Sequence, residues 1–388
     1  MSNIKKICVF TGYRSDYTKL KTVLDEIKKS PCLDLNIVSI GAHNLNDYDN
    51  TKNIITSDGF EVCEHLNTNV EGDTTESMVM SMGLSMLQLG RVLNKIKPDA
   101  VMIVGDRYEM IPVALSSTSM NIPVCHIQGG EISGTIDEVY RHVITKLSHV
   151  HFPSTEKSKN RILMMGENKN FVFNVGCPAI DYIKSITFKS KQDIKNLKGL
   201  SNLKVSDDYI LFMQHPVTTE PDSYNQMRNS LLALQKYGKK VILIYPNPDP
   251  GSDQMIRAIR DHEKNYGKES VIKNKFKNLN FDSFMNLLHH SDCLVGNSSC
   301  GIREAYALNK YVIDIGTRQN NRERSKNVIN TSYDSEDIFF ALSQIKFYST
   351  LSEVDQIYGS GNASKKITRI LEKINFNNAI DKRLSYDI

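Results

Sequence analysis

Several common signatures are missing from this chain, and each absence removes a class of function. Neither G-x-G-x-x-G nor G-x-x-x-x-G-K-[ST] occurs, so nicotinamide dinucleotides and P-loop nucleotides lose their main support. The seven cysteines, Cys8, Cys32, Cys63, Cys125, Cys177, Cys293 and Cys300, are odd in number, scattered, and form no C-x-x-C. That argues against a disulfide framework and against a zinc site, and several lie in apolar runs as small core residues. No apolar run approaches the roughly 20 residues of a membrane span. A strand follows Met1 to Lys6 at once, so no leader segment is expected and the cytoplasm is the default compartment. Charge of one sign is also scarce. The net charge of +4 is too small to argue nucleic-acid binding, and the run Lys264, Lys268, Lys273, Lys275 and Lys277 reads as a solvated face. There is no low-complexity segment.

What is present is a regular alternation of short apolar runs with helical patterns. Strands are expected over Lys6 to Thr11, Leu35 to Ile40, Asp99 to Val104 and Ile122 to Ile127. Between them come helices over Tyr17 to Ile27, Thr75 to Lys95 and Tyr108 to Met120. The same grammar restarts after a polar region, Lys189 to Ser206, relieved only by a short helical piece near Ile194. It continues with strands at Tyr209 to Met213, Lys240 to Tyr245, Asp292 to Val295 and Tyr311 to Ile315, and with a helix over Ser223 to Tyr237. Such alternation predicts α/β architecture with doubly wound parallel sheets. With 388 residues, two domains are expected. We place them at 1–177 and 178–364, with a terminal helix in 365–388 returning to the first.

One stretch organises the rest, His126-Ile127-Gln128-Gly129-Gly130-Glu131-Ile132-Ser133-Gly134-Thr135-Ile136-Asp137-Glu138. It leaves a buried strand, and Thr135 and Glu138 form a T-x-x-E capping box ahead of a helical pattern through Val139, Val143, Ile144 and Leu147. Ligands bind at such strand exits in open α/β sheets. The plain reading is a glycine turn with Asp137 complementing a helix dipole. In the second half, Gly296-Asn297-Ser298-Ser299-Cys300-Gly301 lies between a strand and a helix expected over Ile302 to Leu308. Free backbone N–H groups and two hydroxyls make an anion site suited to phosphate, and Glu304 beyond it can accept from ribose hydroxyls. An ordinary Ser-capped helix is the alternative.

Other strand exits add candidates. His215 precedes Pro216; a protonated ring would stabilise a departing diphosphate and a neutral one would transfer a proton. Arg14, Arg107, Arg318 and Arg322 suit bidentate phosphate contacts, although each taken singly reads as a surface arginine. Asp106 and His43 occupy equivalent positions after their strands. Phosphate holders gather in the second half and carboxylates in the first, which places the expected site in an interdomain cleft. His142, His149 and His151 match no zinc spacing; they read as structural, and no catalytic metal is expected.

These motifs resemble a known family, the hydrolysing UDP-N-acetylglucosamine 2-epimerases. The chain is especially similar to the epimerase half of the animal bifunctional enzyme. The resemblance runs from Arg14-Ser15-Asp16-Tyr17 to Tyr358-Gly359-Ser360-Gly361-Asn362-Ala363. It is carried by Gly105-Asp106-Arg107, by the organising stretch, by Gln214-His215-Pro216-Val217-Thr218-Thr219, by the Gly296 to Gly301 loop and by Gly316-Thr317-Arg318-Gln319. It implies a two-Rossmann-domain, glycosyltransferase-B type fold and no cofactor. The implied reaction turns UDP-N-acetylglucosamine and water into N-acetylmannosamine and UDP by anti elimination to 2-acetamidoglucal and then hydration.

By the same resemblance, Asp106, Glu131 and Asp137 are acid/base candidates, with His215 at the diphosphate. Arg14, Asp16, Lys19, His43, Arg107, Gln128, Ser298, Ser299, Gly301, Glu304 and Arg318 are expected to hold substrate. One departure matters. Gln128 stands where the animal enzyme carries Glu and some bacterial members carry His; an amide exchanges no proton near neutral pH. Weight therefore shifts to Asp106 and Asp137, with Glu131 third. The resemblance further implies a homodimer or homotetramer, and CMP-sialic acid as a feedback ligand near Arg257 and Arg260. Those arginines lie three apart on one helix face, where two solvated side chains are the favoured reading. The alternatives are a hydrolysing epimerase of a UDP-2,4-diacetamido-trideoxy sugar, a non-hydrolysing epimerase, a glycosyltransferase on the same fold, and a non-catalytic sugar-nucleotide sensor.

Overall fold

The computed structural model describes residues 4–41, 52–70, 74–133, 136–203, 208–247, 249–277, 279–345, 355 and 357–385. The first half alternates β1 (Lys5–Thr11), α1 (Arg14–Lys29), β2 (Leu33–Ile40), α2 (Lys52–Ser57), β3 (Val62–Leu66), α3 (Thr75–Ile96), β4 (Ala100–Val104), α4 (Met110–Ser119), β5 (Val124–Ile127), α5 (Asp137–Leu147), β6 (Val150–Phe152), α6 (Glu156–Met164) and α7 (Pro178–Ser185). The second half runs through β7 (Ile210–Met213), α8 (Ser223–Tyr237), β8 (Val241–Ile244), α9 (Ser252–Tyr266), β9 (Ile272–Phe276), α10 (Phe281–His290), β10 (Cys293–Gly296), α11 (Ser299–Ile302), α12 (Glu304–Ala307), β11 (Tyr311–Ile315), β12 (Val328–Thr331) and α13 (Ser335–Ile345). Then come α14 (Ala363–Lys373) and α15 (Asn377–Ile380).

Two compact units result. One comprises Met1–Glu131, Asp137–Lys184 and Gln356–Ile388; the other comprises Ile132–Ile136 and Ser185–Asp355. Pro178 opens α7, and the chain passes between units at that helix's end. Helix α14 belongs to the first unit, where Ile367 and Leu371 share a core with Tyr17, Leu20 and Leu24 of α1.

Each unit holds a six-stranded parallel sheet. The orders are β3-β2-β1-β4-β5-β6 and β12-β11-β10-β7-β8-β9, which is one topology used twice. Central strands such as β4 are wholly buried and wholly apolar, as expected when helices cover both faces of a parallel sheet. The strands that periodicity missed are β3, β6, β9 and β12. All four end a sheet, and along β3 half-exposed positions alternate with exposed ones, leaving only Leu66 buried. In both sheets the order reverses at one pair, β1 with β4 and β7 with β10. Crevices at the carboxyl ends of such pairs are where open α/β sheets bind ligands.

Three local expectations change. Helix α1 begins at Arg14 with Tyr13 as its cap, so Asp16 sits in the first helical turn rather than in a loop. The piece near Ile194 is a single 3-10 turn, Ile194–Asn196. The expected helix over Ile302 to Leu308 is two short helices that break at Arg303. Its first segment starts at Ser299, too short a run of aligned peptides for a large macrodipole. An anion there would be held by N–H groups and hydroxyls rather than by a dipole. Thr135, half of the expected capping box, and His43 lie outside the described residues.

Candidate active site

In the first unit the chemistry gathers where the sheet order reverses. β4 ends in Gly105, whose positive φ of 79° turns the chain and sends Asp106 outward. Arg141, from α5, is fully buried and ion-paired with Asp106 through Nη2. Its Nη1 donates to the Glu131 carbonyl at 2.8 Å. Burial opposes the Arg141 charge, but Asp106, Glu131 and Asp137 outweigh it and raise its pKa. One guanidinium therefore gathers all three acid/base candidates. Asp137 opens α5 one turn before Arg141, and the i, i+4 spacing puts both on one face. That spacing was the signal that could have found Arg141 in the sequence.

Arg107 is held flat. Its Nε and Nη2 donate to the two Glu109 oxygens at 3.2 and 3.1 Å, and the guanidinium lies over the Tyr13 and Tyr108 rings at 5.2 and 5.4 Å. Asp16 is buried, and its Oδ2 finds no hydrogen-bond partner among the described residues. Burial pushes the Asp16 carboxyl up to about 7, against the pull of Lys19. The Lys19 ammonium reaches the Gly105 turn; a Cβ on that glycine would lie 3.9 Å from Nζ. Arg14 opens α1.

The organising stretch is tighter than a plain turn. Gln128 adopts a φ of 66°, and its Nε2 donates to Cys177 Sγ at 3.0 Å. A Cβ on Gly129 would sit 2.8 Å from His126 Nδ1, and one on Gly130 only 2.3 Å from the Ser158 carbonyl. Both glycines are thus demanded by close approach. His126 bonds the Gly105 carbonyl at 2.7 Å through Nε2, fastening the β5 strand to the Asp106 turn. Burial pushes its imidazole down to about 3, so it acts as a neutral brace.

The second unit builds a different cluster at the matching place. Gly296 has a φ of 135°, and a Cβ there would fall 1.9 Å from the Met213 carbonyl. Only glycine lets β10 end against β7. Asn297 is then fully buried; its Oδ1 accepts from the His215 amide at 2.7 Å, and its Nδ2 donates to the His215 carbonyl at 2.8 Å. The Asn247 amide donates to His215 Nδ1 at 3.0 Å, which fixes the tautomer with hydrogen on Nε2. Burial, reinforced by Arg318, pushes the imidazole down to about 3. Of the two roles open to His215, the neutral one is the one this environment supports, so it offers an N–H and not a charge.

Ser298 caps α11 by accepting from the Cys300 amide, and Ser299 Oγ accepts from Arg303 at 3.0 Å. Gly301 packs so close to Val312 that a Cβ would come within 2.8 Å of it. Arg318 donates to the Asn297 carbonyl at 3.3 Å, beside Gln319 at 2.9 Å. Glu304 is buried, and its Oε2 has no hydrogen-bond partner among the described residues. A buried carboxylate oxygen in that condition calls for a donor from water or a ligand.

A family model described as UDP-N-acetylglucosamine 2-epimerase matches residues 25–372. The chain belongs to the UDP-N-acetylglucosamine 2-epimerase family. It is 34% identical to a UDP-N-acetylglucosamine 2-epimerase of Neisseria meningitidis, over 96% of this chain and 95% of that one. It is equally, 34%, identical to the UDP-N,N'-diacetylbacillosamine 2-epimerase (hydrolyzing) of Legionella pneumophila, over 96% of both chains. Among solved structures, a UDP-GlcNAc 2-epimerase from Neisseria meningitidis bound to UDP-GlcNAc superposes with a TM-score of 0.79. It is 20% identical over 95% of this chain and 100% of that one. The resemblance drawn from the motifs thus holds for the family, and the two Rossmann-like units agree with the glycosyltransferase-B type fold expected of it.

The remaining expected residues are placed plainly. His149 Nδ1 accepts from the Val124 amide at 3.1 Å, and His151 pairs with Glu167 at 3.1 Å. His142 faces Glu138 at 3.4 Å. Among the described residues no group of three or more His, Cys, Asp or Glu could hold a metal ion, and no helix is long and apolar enough to cross a membrane. Arg257 lies over the Tyr224 ring at 5.0 Å, and both Arg257 and Arg260 are exposed. Sequence reasoning missed Arg141, Glu109, His126 and Asn247, which act by holding other groups.

Proposed function

We propose that this chain is a hydrolysing 2-epimerase that converts UDP-N-acetylglucosamine and water to N-acetylmannosamine and UDP, the step that opens sialic-acid synthesis. The observation that carries this reading is the set of three carboxylates, Asp106, Glu131 and Asp137, around buried Arg141. A glycosyltransferase has no use for such a set; an elimination followed by hydration needs two proton-exchanging groups. In the first step a carboxylate takes the C2 proton, the C1–O bond breaks, and its electron pair leaves with UDP. The product is 2-acetamidoglucal. In the second step water adds its oxygen to C1, and C2 takes a proton on the other face.

Negative charge develops on the diphosphate as the C1–O bond opens, so fixed donors there lower the barrier. His215 Nε2–H, the Ser298 and Ser299 hydroxyls and Arg318 are the donors proposed for it. Glu304 Oε2 takes the ribose hydroxyls. Asp106 and Asp137 are the proposed acid/base pair, and Gln128 contributes binding only. The protein works as a homodimer or homotetramer under this proposal.

The Legionella relative supports a second reading, a UDP-2,4-diacetamido-trideoxy sugar as substrate. Incubation with each sugar nucleotide and no acceptor, in D₂O, separates the two by NMR. Free N-acetylmannosamine carrying deuterium at C2 is expected from UDP-N-acetylglucosamine. A UDP-linked mannosamine, turnover of the diacetamido sugar alone, or no turnover would sink the proposal.

A further inference from the structure

Glu220 takes no part in the reaction proposed for this chain, yet it stands among the supports of the second unit's cluster. It lies in the loop between β7 and α8, the loop that His215 heads. Its backbone amide closes a turn onto the Val217 carbonyl at 2.9 Å. Its side chain reaches three donors. Oε1 accepts from the Thr317 hydroxyl. Oε2 accepts from the Tyr333 hydroxyl at 2.8 Å and from Gln226 Nε2 at 3.0 Å. Thr317 follows β11 and Tyr333 follows β12. One carboxylate therefore joins the exits of three strands, all within the second unit.

Two of its donors are themselves held in place. Gly316 has a φ of 75°, and a Cβ there would fall 2.1 Å from Tyr333 Cζ, so the tyrosine ring lies against the backbone just before Thr317. Asn229 of α8 donates to the Tyr333 carbonyl at 3.2 Å. Burial pushes the Tyr333 hydroxyl up to about 12, so it remains a donor at neutral pH.

These contacts belong to a closed circuit. From Thr317 the chain passes straight to Arg318 and Gln319, which both donate to the Asn297 carbonyl. The Asn297 side chain grips the His215 backbone by its amide and its carbonyl. His215 leads back along its own loop to Glu220, which closes the ring at a point away from Asn297. Among the described residues Glu220 has no cationic partner; its three donors are neutral. A carboxylate only accepts, so every group around it must turn its hydrogen inward. An amide in its place would turn an N–H toward one of those groups and lose that demand.

We propose that Glu220 is a positioning residue for the diphosphate site: through Thr317 it fixes the backbone that carries Arg318, and so aims the guanidinium at the anion. The inference rests on the reading that Arg318 donates to the diphosphate. Arg318 gives one N–H to the Asn297 carbonyl, and among the described residues its other N–H groups have no protein acceptor. A guanidinium is a rigid fork, and its hold on a phosphate depends on aim.

The test is a double-mutant cycle on the full chain, with UDP affinity measured by calorimetry and kcat/KM measured beside it. Arg318→Met should weaken UDP by at least about tenfold. Glu220→Gln, nearly the same size, should weaken it by about three- to tenfold, with far-UV circular dichroism unchanged. In the Arg318→Met background Glu220→Gln should cost less than about twofold more, because no guanidinium is left to aim. A loop tie that served stability alone would add its full cost in both backgrounds, and that result would overturn the proposal. Tyr333→Phe removes one of the donors; it should give a smaller loss with the same dependence on Arg318. An Arg318→Met protein that loses affinity while Glu220→Gln binds UDP as wild type does would end the proposal and leave the diphosphate reading standing. Wild-type affinity in Arg318→Met would end both. Since UDP is the probe, none of these outcomes turns on which sugar the enzyme takes.

Discussion

The two units carry the same sheet, yet the clusters at their order reversals differ in electrical character. In the first, between β1 and β4, buried Glu131 and half-buried Asp106 and Asp137 surround a permanently charged, buried guanidinium. In the second, between β7 and β10, a neutral histidine is clamped by two asparagines among hydroxyl and guanidinium donors, with Glu304 as the carboxylate. The difference teaches what each place can do. A permanent counter-charge such as Arg141 favours the ionised carboxylate, the form that can accept a proton. A group that must accept a leaving anion without moving protons is better neutral and fixed, because a pre-aimed N–H needs no reorganisation as charge develops.

The largest effects are expected in the first unit. Asp106→Asn and Asp137→Asn should each lower turnover by roughly 10² to 10⁴ with UDP affinity nearly intact. The pair should separate in stability: Asp106→Asn strands the buried Arg141 charge, at a cost of about 3–5 kcal/mol, whereas Asp137→Asn does not. Turnover, calorimetry and thermal unfolding together check this. Gln128→Ala should do less than either; if it proves the most damaging, the proposed pair is wrong and Glu131 takes its place.

Next come the donors of the second unit. Ser298→Ala with Ser299→Ala removes the two hydroxyls proposed to face the diphosphate, each bond worth about 1.5–3 kcal/mol. UDP affinity should fall at least tenfold by calorimetry while the fold is retained. Unchanged affinity would place the diphosphate elsewhere.

The two units should also respond oppositely to pH. The folded Asp16 pKa, raised to about 7, lies above its ordinary 3.8. The stability it contributes is therefore fully present below about 4 and lost as pH rises through 7. His215, lowered to about 3 from 6.5, destabilises the fold as pH falls below 6.5. Asp16→Asn should gain on wild type as pH rises from about 4 to 7, by an amount of order 1–4 kcal/mol. A melting difference that is flat across that range would show that Asp16 stays ionised. The smallest expected effect is none: activity should survive exhaustive EDTA treatment, and recovery only with a divalent ion would reveal a metal requirement.

Much of this was legible in the chain. Buried parallel strands announce themselves as continuous apolar runs, so β1, β4, β5, β7 and β10 and their exit loops could be read directly. The glycines of the organising stretch and Gly296 stood in motifs, although their reason, close approach to His126, Ser158 and Met213, did not. Edge strands β3, β9 and β12 were hidden because partly exposed strands carry mixed composition, and β6 because three residues are too few to show a period. Arg141, Glu109 and Asn247 were hidden because positioning residues are common polar types with no motif of their own.

The sequence by itself determined the alternation of elements, the doubly wound class and the loops that carry chemistry, since these follow from local periodicity and strand-exit position. Only the tertiary structure decided that His215 is neutral, because a proton's place depends on burial and on which backbone amide faces the ring. Only it showed that Arg141 gathers three carboxylates from separate segments. And only it showed that the first half of α3 turns Ser77, Ser81 and Ser85 in and Leu84 and Leu87 out: a 3.6-residue period specifies a helix with two unlike faces, but which face meets the sheet is settled by what the rest of the chain packs against it.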